Sequence, residues 1–236
     1  MTIPKIDKVK VNLQIENINY HIGAIAEENK QFYFKYDDKF VKTNLSLSPI
    51  KLPFNTQIQT PETKVFDGLF GVFWDSLPDG WGRFLQDKYI QSKNRSLSNI
   101  SSLSRLCFVG DRGPGALTYE PFFDTDPNDM GLNMTLWDVF RDVKDIYENN
   151  QEENLWNIYS LGGASGGARP KINCGYDTER DTLYFGDTDH TDVTRWIIKF
   201  PASTDLKDIA HIEYAYYVMA KKCGLHISES KIFKAK

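Results

Sequence analysis

Residues 160–172 read SLGGASGGARPKI, and this glycine-rich stretch is the best guide to the fold. Four glycines occur within positions 162–167, and Arg169 and Lys171 follow. The backbone N–H groups of such a loop can converge on an anion with positive side chains nearby. The candidate phosphate-binding residues are Ser165, Gly166, Gly167, Ala168, Arg169 and Lys171. The pattern matches neither standard nucleotide-binding glycine motif, so a tight turn or flexible linker is the alternative.

A lysine downstream of this loop is the second candidate. Lys199 lies in the otherwise apolar stretch RWIIKFP, residues 195–201, where an unpaired buried charge would be costly. The helix predicted over 205–223 supplies an anionic partner, because at 100° per residue Glu213 borders the apolar stripe of that helix. The alternatives are an ordinary structural ion pair and a lysine whose ammonium group reaches water.

The order of these features along the chain is informative. Strands are predicted at 169–174, 182–185 and 194–200, between the glycine loop and the final helix. A glycine loop, strands, a lysine on a strand and a helix with an inward glutamate are the parts of a protein kinase N-lobe. In that arrangement Lys199 holds the α and β phosphates of ATP, and Glu213 holds Lys199.

The N-terminal half has a different pattern. Alternating apolar and polar residues from 8 to 42 predict an antiparallel meander of three strands. The apolar stretch 66–91 is interrupted by Leu-Pro-Asp-Gly at 77–80, which predicts two short helices around a tight turn. A glycine-rich loop at 110–115 then leads into a strand at 116–121.

The polar segment 124–133 is the predicted boundary between two domains, 1–123 and 134–236. Thr135 and Asp138 have the spacing of a capping box, which begins a helix that runs to about Asn149. The last six residues, KIFKAK, predict a strand. The fold class is therefore α+β, with an N-terminal antiparallel β-rich subdomain containing short helices, followed by a kinase N-lobe-like β-sheet plus helix.

Composition excludes several classes of function. Lys and Arg total 28 against 32 for Asp and Glu, so direct binding of nucleic acid is not expected. The sequence has no apolar run of signal-peptide or membrane-span length, so we expect a cytoplasmic protein without a membrane partner. Its three cysteines lack CxxC spacing and its four histidines lack metal spacing, so we expect buried thiols and no metal site.

Several segments together resemble the HipA family of serine/threonine kinases, which are toxins of bacterial toxin–antitoxin systems. The segments are FDGLFGVFWDSLPDGWGR (66–83), FVGDRGPGAL (108–117), GGASGGARPK (162–171), WIIKFP (196–201) and IEYAYYVMAKKCGLHISESKIF (212–233). The resemblance implies an N-terminal subdomain up to about residue 120, followed by the start of a kinase domain that binds ATP. In the family a serine of the glycine loop is autophosphorylated, and its position corresponds to Ala164, one residue before Ser165.

The resemblance also implies which catalytic parts to expect elsewhere. Phosphoryl transfer needs an Asp base, a downstream Asn and magnesium ligands, and these lie beyond the position that matches Lys236. We therefore expect ATP binding without phosphoryl transfer by this chain alone, and Mg²⁺ only with a C-terminal lobe. The implied partners are a helix-turn-helix antitoxin protein and a C-terminal kinase lobe or full-length parent. The alternative is a non-catalytic module that binds or inhibits a partner in a toxin–antitoxin system.

Overall fold

The computed structural model describes residues 6–15, 18–62, 65–113, 115–123, 134–149, 151–163, 165–186 and 193–234. Contacts divide the chain into an N-terminal unit, residues 1–130 with 162–168, and a C-terminal unit, residues 131–161 with 169–236. The glycine loop, defined from here on as residues 162–168, thus belongs to the N-terminal unit. The domain bounds 1–123 and 134–236 stay a prediction, and the boundary segment 124–133 lies outside the described residues.

A four-stranded antiparallel sheet forms the centre of the N-terminal unit. Its strands are β1 (Lys8–Ile15), β2 (Ile18–Glu28), β3 (Gln31–Tyr36) and β4 (Leu117–Glu120), in the order β3-β2-β1-β4. Alternate side chains of β3 are buried, as the period of two in the sequence requires, and in β1 the alternation holds up to the register shift between Val11 and Asn12. The predicted meander and the strand after the 110–115 loop are confirmed.

The described residues of the N-terminal unit also form four α-helices. They are α1 (Asp38–Val41), α2 (Gly71–Trp74), α3 (Gly80–Ser92) and α4 (Ser102–Val109). The two helices predicted around residues 77–80 are confirmed as α2 and α3. Helix α4 was not predicted because seven of its eight residues are buried, which leaves no polar face to create a helical period.

The C-terminal unit combines helices with a three-stranded antiparallel sheet. The sheet has the order β6-β5-β7, with β5 at Lys171–Asp177, β6 at Thr182–Tyr184 and β7 at Thr194–Lys199. All three predicted strands are confirmed. The mixture of antiparallel sheets and helices in the two units confirms the α+β class.

Three helices complete the C-terminal unit. Helix α5 (Leu136–Glu148) begins at the predicted capping box, in which Thr135 and Asp138 bond to each other's backbone N–H groups. Helix α6 (Leu155–Gly162), which was not predicted, leads into the glycine loop. The last helix, α7 (Ile209–Lys222), begins four residues later than predicted.

The end of the described chain differs from the prediction. Residues 231–234 are not in a strand. Instead Lys231 Nζ donates to Tyr176 Oη and Asp181 Oδ1, each at 2.6 Å, and Phe233 packs edge-on against Tyr176. Side chains rather than a backbone ladder attach this segment to the sheet. No helix in the described ranges is long and apolar enough to cross a membrane.

Candidate functional site

One face of the C-terminal sheet carries cationic side chains. In the antiparallel pair β5–β7, Lys171 lies directly opposite Lys199. Because alternate residues of a strand share a face, Arg195 and Ile197 lie on the same face as Lys199. Like charges directly opposite each other destabilise an antiparallel pair, and a bound anion relieves that repulsion. Arg195 and Lys199 are exposed, whereas Lys171 is only 6% exposed, so the exposed cations of this basic strand face are suited to an anionic ligand.

The predicted partner of Lys199 is present. Lys199 Nζ forms an ion pair with Glu213 Oε1 on α7. The Lys199 and Glu213 side chains are 53% and 54% exposed, so the pair is open to solvent rather than buried. The ammonium group thus has a fixed carboxylate partner and remains accessible to a ligand.

The surroundings of this pair differ from the prediction. Glu213 was expected at the edge of a buried apolar stripe, but across the described residues of α7 none is buried. Ile212, Tyr216 and Cys223 of the stripe are exposed. The amphipathic pattern shows which residues share an apolar face, but it carries no information about what covers that face.

Arg169 has a structural partner. Its Nη2 atom lies 2.6 Å from Asp205 Oδ1, and the other oxygen of Asp205 accepts the Ala202 N–H at 2.9 Å. The Phe200 N–H donates to Pro170 O at 2.9 Å beside this pair. Arg169 therefore fixes the start of β5 to the turn that follows β7.

The glycine loop packs on the N-terminus of α3. The Gly167 N–H donates to Asp79 Oδ1 at 2.7 Å, and the Trp81 N–H donates to Gly167 O at 3.0 Å. Gly166 and Gly167 are exposed, whereas Ser165 is only 5% exposed. The loop is held by backbone hydrogen bonds and a carboxylate, and its serine is largely inaccessible to solvent.

Two glycines of the 77–83 segment make this approach possible. A Cβ atom on Gly80 would lie 2.5 Å from Ala168 Cα, and one on Gly82 would collide with the Gly163 carbonyl oxygen. Gly80 also has a φ of +36°, which disfavours residues with side chains. The two glycines of this motif therefore permit the close approach of the glycine loop as well as the local turn.

The predicted site residues fall into two sets. Ser165, Gly166, Gly167 and Ala168 belong to the N-terminal unit, and Arg169, Lys171, Lys199 and Glu213 belong to the C-terminal unit. Sequence reasoning missed Asp79 and Arg195. Asp79 had a detectable signal, since it stands between a proline and a glycine in a turn followed by a helix.

The three cysteines differ in burial. Burial raises the pKa of the Cys107 and Cys174 thiols to about 12, so neither forms a thiolate near neutral pH. These two thiols are buried as predicted, whereas Cys223 is exposed. Among the described residues, no group of three His, Cys, Asp or Glu side chains is placed to hold a metal ion.

Comparison with protein families covers both halves of the chain. A family model of the HipA N-terminal domain matches residues 13–120, and a model of the HipA-like C-terminal domain matches residues 163–236. The chain is a HipA-like protein. The second match includes Lys171, Lys199 and Glu213 of this HipA-like chain, and the first includes Asp79. No curated protein and no solved structure matches it.

Proposed function

We propose that this HipA-like chain binds ATP as the nucleotide-binding part of a serine/threonine kinase toxin. The observation that carries the proposal is the Lys199–Glu213 ion pair beside a second lysine, Lys171. In kinases such a pair positions the lysine on the α and β phosphates of the nucleotide.

The exposure of the pair supports this assignment over a purely structural role. Surface ion pairs contribute little to stability, with a median of about 0–1 kcal/mol, because solvent screens them. Glu213 can nevertheless restrict the directions in which the Lys199 ammonium group points. An oriented and accessible ammonium group can donate to phosphate oxygens in a charge-assisted hydrogen bond.

A neighbouring apolar side chain supports a nucleotide over a simple phosphate. Ile197 is 56% exposed although it lies in a strand, and it shares a face with Lys199 two residues away. An exposed isoleucine beside a cation offers apolar surface for a base and charge for its phosphates. The assignment of Ser165, Gly166, Gly167 and Ala168 to the phosphates remains our prediction from the sequence.

Phosphoryl transfer is a separate step. It needs an Asp base and magnesium ligands in a catalytic loop, and no such motif occurs in these 236 residues. We therefore expect this chain to bind ATP and to leave the γ-phosphate in place. Incubation with ATP and analysis for released ADP tests this, and ATP-dependent product formation by the purified chain contradicts it.

Isothermal titration with Mg-ATP tests the binding proposal. Lys199→Ala should reduce affinity at least tenfold, because a hydrogen bond to a charged group contributes about 1.5–3 kcal/mol. Glu213→Gln should reduce it less, because the amide can still accept a hydrogen bond from the amine. Lys222→Ala, an exposed change at the end of α7, is the matched control. Equal affinities for wild type, Lys199→Ala and Lys222→Ala would contradict the proposal.

The alternative is a non-catalytic module that binds a partner protein, such as a helix-turn-helix antitoxin. The exposed apolar side chains of α7 favour it, because clustered exposed apolar residues are typical of interaction surfaces. Size-exclusion chromatography with the antitoxin, together with an ATP titration, separates the two. A stoichiometric complex without detectable ATP binding favours the module.

A further inference from the structure

The contact between Asp79 and the glycine loop involves a group that a phosphate would also need. Asp79 occupies the N-cap position of α3, yet its side chain makes no capping hydrogen bond to that helix. Its Oδ1 atom instead accepts the Gly167 N–H at 2.7 Å, across 88 residues of sequence. The carboxylate that would normally cap its own helix is directed at the glycine loop.

A backbone N–H group has a single hydrogen to donate. While the Gly167 N–H points at Asp79, it cannot point at a phosphate oxygen. A carboxylate and a phosphate are also the same kind of acceptor, since each forms a charge-assisted hydrogen bond. The negative charge of Asp79 additionally repels a second anion at the same amide.

Other contacts hold the loop in this position. The Trp81 N–H, one of the N–H groups at the start of α3 that lack a partner within the helix, donates to Gly167 O at 3.0 Å. Together with the Asp79 bond, it pairs both backbone groups of Gly167. Gly82 leaves the space that the Gly163 carbonyl occupies. The start of α3 thus forms a clamp, defined by Asp79, Trp81 and Gly82, around the loop.

We propose that Asp79 is an autoinhibitory anion, which occupies the Gly167 amide and competes with the phosphates of ATP for the glycine loop. The inference rests on the proposed function, in which this loop binds phosphate. Nucleotide binding at the loop then requires exchange of the carboxylate for a phosphate. The apparent affinity for ATP is the intrinsic affinity multiplied by the fraction of molecules in which Asp79 has released the amide.

Hydrogen exchange without nucleotide tests the clamp itself. In wild type the amide of Gly167 should be protected, and Asp79→Ala should speed its exchange about tenfold or more, consistent with loss of one charge-assisted hydrogen bond. Asp79→Asn should have a smaller effect, because an amide oxygen can still accept. Asp38→Asn, which removes an equal charge at an exposed site of the same unit, should have none. Unchanged exchange in a folded Asp79→Ala variant overturns the inference.

ATP titration of the same variants tests the competition. Asp79→Ala should bind Mg-ATP about tenfold more tightly than wild type, with Asp79→Asn between them. Faster exchange with equal or weaker ATP affinity overturns the competitive role, because Asp79 would then position the loop for the nucleotide. If the proposed function itself is wrong, the result is different: no variant, including Asp79→Ala, binds ATP, whatever the hydrogen-exchange rates are. Thermal melting of each variant establishes that it is folded.

Discussion

Lys171 of β5 and Lys199 of β7 lie directly opposite each other in an antiparallel pair. Like charges at such positions repel each other, and an anion that binds near them counteracts this repulsion. This pair of the HipA-like chain lies on the face that we assign to nucleotide phosphates.

Phosphate-bearing ligands should stabilise the chain through this pair. We expect the unfolding temperature to rise with the concentration of ATP, because a ligand that binds the folded state shifts the equilibrium by mass action. In Lys199→Met the rise should be much smaller. Differential scanning fluorimetry with ATP, and with adenosine as the uncharged control, measures the effect. Equal shifts with adenosine and ATP would show that the phosphates contribute nothing.

Gly82→Ala should destabilise the N-terminal unit although alanine favours helices. The new Cβ atom would collide with the Gly163 carbonyl oxygen, and such overpacking typically costs about 1–3 kcal/mol. Gly115→Ala is the matched control, because nothing lies within 4 Å of the added Cβ atom. Urea denaturation measures both changes. A Gly82→Ala variant as stable as Gly115→Ala would show that the loop does not approach α3 this closely.

Arg105 of α4 should be essential for stability. Its side chain is 4% exposed, forms an ion pair with Asp87 Oδ1 at 2.6 Å and donates to Gln86 Oε1 at 2.5 Å, both on α3. Removal of one partner from a buried ionic contact costs about 3–5 kcal/mol, and the partial exposure of Asp87 and its second contact with Arg83 at 3.5 Å place the expected cost at the lower end of this range. We expect Arg105→Ala to lower the free energy of unfolding by this amount, as measured by equilibrium denaturation.

Lys51→Ala serves as the control for this loss. Lys51 pairs with Glu62 at 3.0 Å, and the two side chains are 73% and 77% exposed, where an ion pair contributes about 0–1 kcal/mol. Similar losses in the two variants would show that burial of Arg105 does not determine its contribution.

The contribution of the Lys231–Asp181 contact to stability should depend on pH. The hydrogen bond from Lys231 lowers the pKa of Asp181, and a second from Tyr176 adds to the effect. A carboxyl group whose pKa is lowered by folding stabilises the protein above its unfolded pKa of about 3.9, and this contribution is lost as the pH falls through the lower folded value. Lys231→Met should therefore flatten the loss of stability below about pH 4. Urea midpoints across this range measure the slope, and identical slopes in wild type and variant contradict the assignment.

Local patterns in the sequence were sufficient for much of the architecture. The period of two predicted β1 to β3, strand segments joined by polar turns predicted β5 to β7, and the spacing of Thr135 and Asp138 predicted the start of α5. The turn at 77–80 predicted α2 and α3. These features depend on residues a few positions apart, whose preferred geometry is almost the same in any fold. Helix α4 escaped the same reasoning because its burial on all sides removes the polar face that reveals a period.

The candidate site, like the fold, was predicted from the sequence only in part. Lys199 and Glu213 were found because a charge in an apolar strand and an amphipathic helix are both visible in the sequence. The register that sets Lys171 against Lys199, the exposure of α7 and the bond from Gly167 to Asp79 had no local signal. Periodicity shows which face of an element is apolar, but packing between distant segments decides what each face meets. The Gly167–Asp79 contact joins residues 88 positions apart, so only the folded chain could bring them together.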